Sequence, residues 1–357
     1  MDAFSSKQLG ERLRSARETA GMSTRIVARR LSLLGIPVSH ATVANYEKGS
    51  TFPSTPTLQA FASIYGRPVE WFLTMGATLT GVKYRCLKSV RVAEKQAFEG
   101  LASAWAQIYL ELENILGENL EVATSQVNAD DTGATVARKV RDDLKLGDNP
   151  VPSVVEVLER YGIRVMQIRS EARIDGFAAW FGGTRVVVLN EALPNDRFRF
   201  NAGHELGHHL FHDCIDNADV EDAELDPRAH DFASQLLMTD EVLAEAFSTK
   251  SMVRLVQFKE RYGISLAAMI YRARQSGIIP KDLYERLWRD FSRLGWRTQE
   301  PGYVRPDRPA RLERLIESAV TRGKMSYGDV ARIGGLNEAT VRAVVLRAMG
   351  GETSLGS

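Results

Sequence analysis

The feature that most constrains this chain is the pentapeptide His204-Glu205-Leu206-Gly207-His208 near its middle. It lies in Arg197–His212, which reads as one helix with Phe198, Leu206 and Leu210 as buried positions. Residues four apart on a helix share a face about 6 Å apart along the axis, so the two imidazoles can grip one ion. Catalytic zinc takes three protein ligands and keeps one position open for water. Glu205 stands where it can take that water's proton and return it to a leaving amine. Five of the six histidines (His204, His208, His209, His212, His230) fall within 27 residues, which raises the motif above an isolated match. His212 continues the same face but lies about 12 Å along the axis from His204, so it is expected to pack beside the site or support it from outside. The competing reading is a surface helix with incidental histidines.

A third ligand has to come from another segment. Glu224-Leu-Asp226-Pro-Arg-Ala-His230-Asp-Phe-Ala is the place to look, because Asp226 and His230 are four apart and face one way in a helix entered at Pro227. A carboxylate ligand with a group one turn on that holds a ligating imidazole is a workable arrangement.

With these pieces in view, the region resembles the ImmA/IrrE family of zinc peptidases over about 135 to 300. The resemblance is carried by Ala202-Gly-His-Glu-Leu-Gly-His-His-Leu-Phe-His212, Ala229-His-Asp-Phe-Ala-Ser-Gln-Leu-Leu-Met238 and Gly295-Trp-Arg-Thr-Gln-Glu-Pro-Gly302. It implies a Glu ligand six residues before Phe232, where this chain has Asp226, one methylene shorter. Glu224 is the reserve ligand and His230 the next. The resemblance also implies Zn2+ as cofactor, His204 and His208 as ligands, and Glu205 as general base.

The first 75 residues read as short helices separated by Gly, Pro and Ser. Leu9, Leu13 and Ala16 recur at helical spacing, as do Ile26, Val27, Leu31 and Leu34, then Val43 and Tyr46, then Leu58, Phe61, Ala62 and Tyr65. Ser39 can cap a helix that Gly49 ends, leaving His40, Thr42 and Asn45 facing outward; Asn suits a bidentate contact with adenine. Arg25, Arg29 and Lys48 can meet phosphates. This segment resembles the lambda-repressor-like (Xre-type) helix-turn-helix family over roughly 6–73, through Ser39-x-x-x-Val-x-x-Tyr-Glu-x-Gly49, Pro53, Pro56 and Leu58-x-x-Phe-Ala-x-x-Tyr65. Its turn, Leu34-Gly-Ile-Pro-Val38, is longer than that family's usual tight turn. The DNA-binding set is therefore read as Arg25, Ser39, His40, Thr42, Asn45 and Lys48.

Net charge is only +1, from 46 basic and 45 acidic residues, but it is unevenly spread. Residues 1–75 hold nine basic and five acidic side chains, whereas 213–245 hold one basic and eleven acidic, so nucleic acid should favour the first. Two cysteines, Cys86 and Cys214, argue against a disulfide framework. No stretch approaches a membrane span, and cytoplasm is the expected compartment.

The fold class expected is mainly α with a small β-sheet. Its parts are an all-α helix-turn-helix domain (6–75), a helical linker or dimerisation arm (76–134) and a central α+β zincin-like domain (135–250). A helical extension (251–304) and a small helical C-terminal domain (305–357) follow. Within the centre, helices are predicted at Ala137–Leu144 and Val154–Tyr161, then strands at Ile163–Ile168, Phe177–Phe181 and Arg185–Leu189. Arg305–Pro309 reads as a Pro-rich hinge. Ser326 to Val345 has the outline of a second helix-turn-helix, with a plain two-helix cap at least as natural a reading.

The function expected is a transcriptional regulator, most naturally a homodimer on a double-stranded operator. Its zinc-dependent endopeptidase site would cleave a partner repressor or the chain itself in a stress- or phage-related response. The alternative is a DNA-binding regulator whose zinc fold senses or scaffolds without proteolysis.

Overall fold

The computed structural model describes residues 6–67, 69–73, 79–86, 90–123, 127–128, 130–211, 222–249 and 251–348. Five helices come first: α1 (Ser6–Thr19), α2 (Thr24–Leu33), α3 (His40–Glu47), α4 (Thr55–Tyr65) and α5 (Val69–Leu73). Serine hydroxyls at Ser23, Ser39 and Ser54 cap α2, α3 and α4 by accepting from Ile26, Thr42 and Thr57 N–H, which satisfies otherwise orphaned donors. Leu9, Leu13, Val27, Leu31, Val43, Phe61 and Phe72 close one small core. Of the predicted α2 positions, Val27 and Leu31 are buried, whereas Ile26 is 46% and Leu34 53% exposed. Ile26 lies about 100° around the helix from Val27, off the buried stripe, and Leu34 follows the last helical residue.

Two glycines set how α1 meets α3. A Cβ on Gly10 would come within 2.7 Å of the Tyr46 and Glu47 carbonyls, and Gly49, at φ 70°, abuts the backbone of Lys7. The Arg17 guanidinium locks the crossing with two bonds to Glu47, at 2.6 and 3.0 Å.

Strand β1 (Leu79–Cys86) and the long α6 (Val92–Leu116) follow, then α7 (Gly133–Asp143), α8 (Val154–Arg160), β2 (Arg164–Ile168), β3 (Ile174–Phe181) and β4 (Thr184–Asn190). The sheet order is β1-β3-β4-β2, with β1 and β4 antiparallel to β3 and β2 parallel to β4. The Val186–Leu189 run is buried on both faces, as a continuous apolar strand should be: Val187 and Leu189 face one core, Val186 and Val188 the other.

Beyond the sheet come α9 (Asn195–Leu210), α10 (Asp222–Leu237), α11 (Asp240–Phe247), α12 (Met252–Tyr262), α13 (Leu266–Gln275), α14 (Lys281–Arg293), α15 (Arg311–Thr321), α16 (Tyr327–Gly334) and α17 (Glu338–Ala348). Helices α7 to α14 share the first core, and α6 with α15 to α17 cover the opposite face. The chain is thus mainly helical around one four-stranded sheet among the described residues, in line with the expected class.

The segment 76–134 contributes β1 to the sheet edge and α6 to the second core. Strand β1 escaped the sequence reading because Gly81 interrupts it and its described side chains are no more than half-buried, so no strong alternation marks it. The C-terminal helices also fasten the centre. Fully buried Glu113 of α6 accepts from Arg164 and Arg311, and Asp307 accepts from Arg199 while capping α8 through Ser153 Oγ and Val154 N. The Pro-rich stretch 305–309 is therefore held at its middle.

Candidate metal centre and DNA-reading helix

His204, Glu205 and His208 lie on α9 and are all buried. The two Nε2 atoms are 3.1 Å apart and the rings nearly perpendicular, with centroids 4.7 Å apart. Zinc–nitrogen bonds of 2.0–2.1 Å at a tetrahedral angle put two ligating nitrogens about 3.3 Å apart. The rings therefore already converge as a chelate requires, and the residues present fit the ion that the sequence implies.

Helix α9 holds this pose because α10 lies against it along a seam of small residues. A Cβ on Gly207 would be 3.0 Å from Ala229 Cα and 3.2 Å from Phe232, while one on Gly203 would touch Ala233 at an ordinary 3.4 Å. The glycine inside the motif is thus part of the helix crossing. On the other flank, Asp175 of β3 accepts from Arg197 at 2.6 and 3.0 Å and from Asn201 at 3.3 Å, fixing the turn before His204. His209 faces away, with Nε2 3.2 Å from the Val186 carbonyl and its ring edge-on to Trp180.

Helix α10 begins at Asp222, five residues before the predicted entry, so Pro227 sits within its second turn. Its backbone carries Glu224 and Asp226, but their side chains, like His212 and Cys214, lie outside the described residues. His230 is exposed; its ring is 6.4 Å from that of His204 and 4.8 Å from Phe200. Two imidazoles on one tetrahedral ion would have centroids about 5 Å apart, so His230 stands just outside the pair. Among the described residues no group of three His, Cys, Asp or Glu is gathered as a metal site.

In the N-terminal unit, the structure puts Arg25, Arg29, Ser39, His40, Asn45 and Lys48 at the surface. His40 and Asn45 project from α3 unencumbered by core packing, whereas Thr42 is half-buried and its hydroxyl lies 2.9 Å from Ser39 Oγ. Ser39 and Thr42 therefore shape the start of the helix, while His40, Asn45 and Lys48 offer reach. Glu47, part of the quoted motif, is bound to Arg17.

Sequence reasoning missed the Asp175, Arg197 and Asn201 cluster, because Asp175 lies 22 and 26 residues before its two helical partners and no spacing links it to them. It also gave no role to Glu300 of the Gly295–Gly302 string. That carboxylate accepts from Lys259 Nζ and from Leu266 and Ala267 N–H, capping α13.

A helix-turn-helix unit joined to a sheet-backed helix bearing paired imidazoles defines a DNA-binding protein with a metallopeptidase-type domain. Residues 8–70 match a helix-turn-helix domain model, and residues 158–274 match the model described as the IrrE N-terminal-like domain of the M78 peptidases. The chain thus carries an IrrE N-terminal-like domain behind its helix-turn-helix. No curated protein matches the chain. No helix among the described residues is long and apolar enough to cross a membrane.

Proposed function

We propose that the chain is a transcriptional regulator that binds an operator through α3 and hydrolyses a peptide bond in a partner repressor or in itself at the α9 site. The observation that carries this reading is the 3.1 Å approach of the His204 and His208 Nε2 atoms beside buried Glu205. His204 and His208 would hold zinc, with Asp226 as third ligand, Glu224 in reserve, and His230 or His212 supporting from outside. Zinc, when bound, supplies Lewis acidity toward the scissile carbonyl and lowers the pKa of water. Glu205 takes the proton of the attacking water and delivers it to the amine as the C–N bond breaks. Asp175, through Arg197 and Asn201, keeps α9 from rotating. Binding a palindromic operator calls for two copies.

Purified protein loaded with zinc and mixed with helix-turn-helix repressors should yield a discrete product that Glu205→Gln abolishes; a product unchanged in that variant removes Glu205 from the mechanism. Metal analysis of His204→Ala, Asp226→Ala and Glu224→Ala then identifies the third ligand. The second reading, a sensor or scaffold without proteolysis, draws on the nearness of His230 to His204 and on Asp226 standing where the resemblance implies Glu. It requires bound metal with no exchangeable position.

A further inference from the structure

Among the described residues β1 is the only strand from outside 164–190: it belongs to the linker behind the helix-turn-helix unit and lies on the outer edge of β3, antiparallel to it. Its ladder breaks in the middle. Thr80 pairs with Trp180 and Lys83 with Ala178, so Gly81 and Val82 together oppose Ala179. Gly81 is exposed and stands at φ 61°. Two residues against one, led by a left-handed glycine, make a β-bulge, which takes the backbone there out of regular pairing.

That break lies level with the imidazole pair. Arg197, Asn201, His204 and His208 follow one another at helical intervals of four, three and four, so they form one stripe of α9, and Asp175 of β3 is bonded to the first two. At the other end Trp180 of β3 meets His209 edge-on. Strand β3 therefore runs alongside α9 in the same direction. At about 3.4 Å per strand residue and about 1.5 Å per helical residue, His204 to His208 fall beside Phe177 to Ala179. The backbone just outside β3 at that level is the bulge and Lys83. A sheet edge holds an extended peptide by main-chain bonds, whatever its side chains. Here the chain's own linker is that peptide.

We infer that β1 is the substrate of the α9 site, cut between Gly81 and Val82. The inference rests on the peptidase reading and names its target. The oxygen of water bonds to the Gly81 carbonyl carbon and Glu205 carries the water's proton to the Val82 nitrogen. The C–N bond then breaks to leave a Gly81 carboxylate and a Val82 amine. The cut leaves α1 to α5, the whole DNA-reading unit, held to the rest by packing alone.

The test uses the full chain. Zinc-loaded wild type should convert, under denaturing conditions, to pieces that mass spectrometry assigns to residues 1–81 and 82–357, and Glu205→Gln should stay whole. Because bond and site share one chain, the first-order rate should be unchanged on dilution, and wild type should leave a tagged Glu205→Gln chain intact. Proximity is read separately in Glu205→Gln loaded with Fe2+ and given ascorbate and peroxide, whose hydroxyl radicals cut the nearest backbone; those cuts should include Gly81 to Lys83. Radical cuts that spare β1, or zinc-dependent fragments that end elsewhere, overturn the inference. A repressor cut by a chain that itself stays whole overturns it and leaves the peptidase reading standing. Radical cuts in β1 with no zinc-dependent hydrolysis of any protein sink both, and put the fault in the chemistry rather than in the position of β1.

Discussion

Arg67 Nη1 donates a 2.8 Å hydrogen bond to the carbonyl oxygen of Gly334, joining residues 267 positions apart in one buried contact. The same guanidinium lies 4.0 Å over the Trp71 ring, with Arg12 at 4.5 Å from that ring. Burial, and for Arg67 the neighbouring Arg12, pushes both guanidinium groups down to about 10. The DNA-reading unit is therefore docked on the C-terminal helices through a desolvated cation. Arg67→Ala strands the Gly334 carbonyl and should cost about 2–3 kcal/mol. Chemical denaturation followed at a reporter in α3 should then show that unit melting first. Superimposable curves for variant and wild type would show that the dock carries no stability.

The two glycines on the α9 seam make a matched pair. Gly203→Ala meets only ordinary contact at 3.4 Å, so the helix-propensity gain of about 0.5–1 kcal/mol should appear as added stability. Gly207→Ala drives a methyl to 3.0 Å from the α10 backbone and should cost about 1–3 kcal/mol. It should also weaken zinc retention against a chelator, because α10 carries the proposed third ligand. The same sign for both variants would mean that the seam is looser than these distances require.

For the operator, Asn45→Ala and His40→Ala should each lose about 1–3 kcal/mol at particular base pairs and relax preference there. Lys48→Ala and Arg25→Ala should weaken all sequences alike and lower the salt slope by about one. Binding isotherms over a salt series with a randomised operator separate the two groups. A uniform loss for Asn45→Ala would assign it to the phosphate backbone.

Burial pushes the Glu159 carboxyl up from its ordinary range, against the pull of Arg314 and Arg311, with Glu156 and Asp307 adding to the rise. A carboxyl whose folded pKa is raised favours the folded state while protonated, and that contribution is lost as pH climbs through the raised value. Glu159→Gln should therefore melt higher than wild type at pH 7. The gap should close below the ordinary carboxylate pKa near 4.5. A gap that is constant from pH 4 to pH 8 would trace the effect to something other than ionisation.

Much of this architecture was legible in the chain because its signals are local. Helix α9, the strands β2 to β4 and the capped helices of the N-terminal unit each carry their periodicity and caps within a dozen residues. The imidazole pair was legible for the same reason, since four residues of helix fix it. What escaped depends on distant partners. Asp175 meets Arg197 and Asn201 only once β3 lies beside α9, and Glu300 caps a helix that begins 34 residues earlier. Strand β1 gains its place from pairing with β3, whose partner residues lie 88 (Cys86 to Ile174) to 102 (Leu79 to Phe181) positions on, while its own sequence barely alternates.

Asp307 is the only described carboxylate bonded to the buried Arg199, and it also supplies the acceptor at the start of α8. Without that aspartate, which lies more than 100 residues further along the chain, the buried Arg199 guanidinium would keep only the Val151 and Pro152 carbonyls as described partners and no counter-charge. The stretch ahead of the later helices thus acts as a clasp applied from behind, tying α9 to the start of α8 through a single carboxylate.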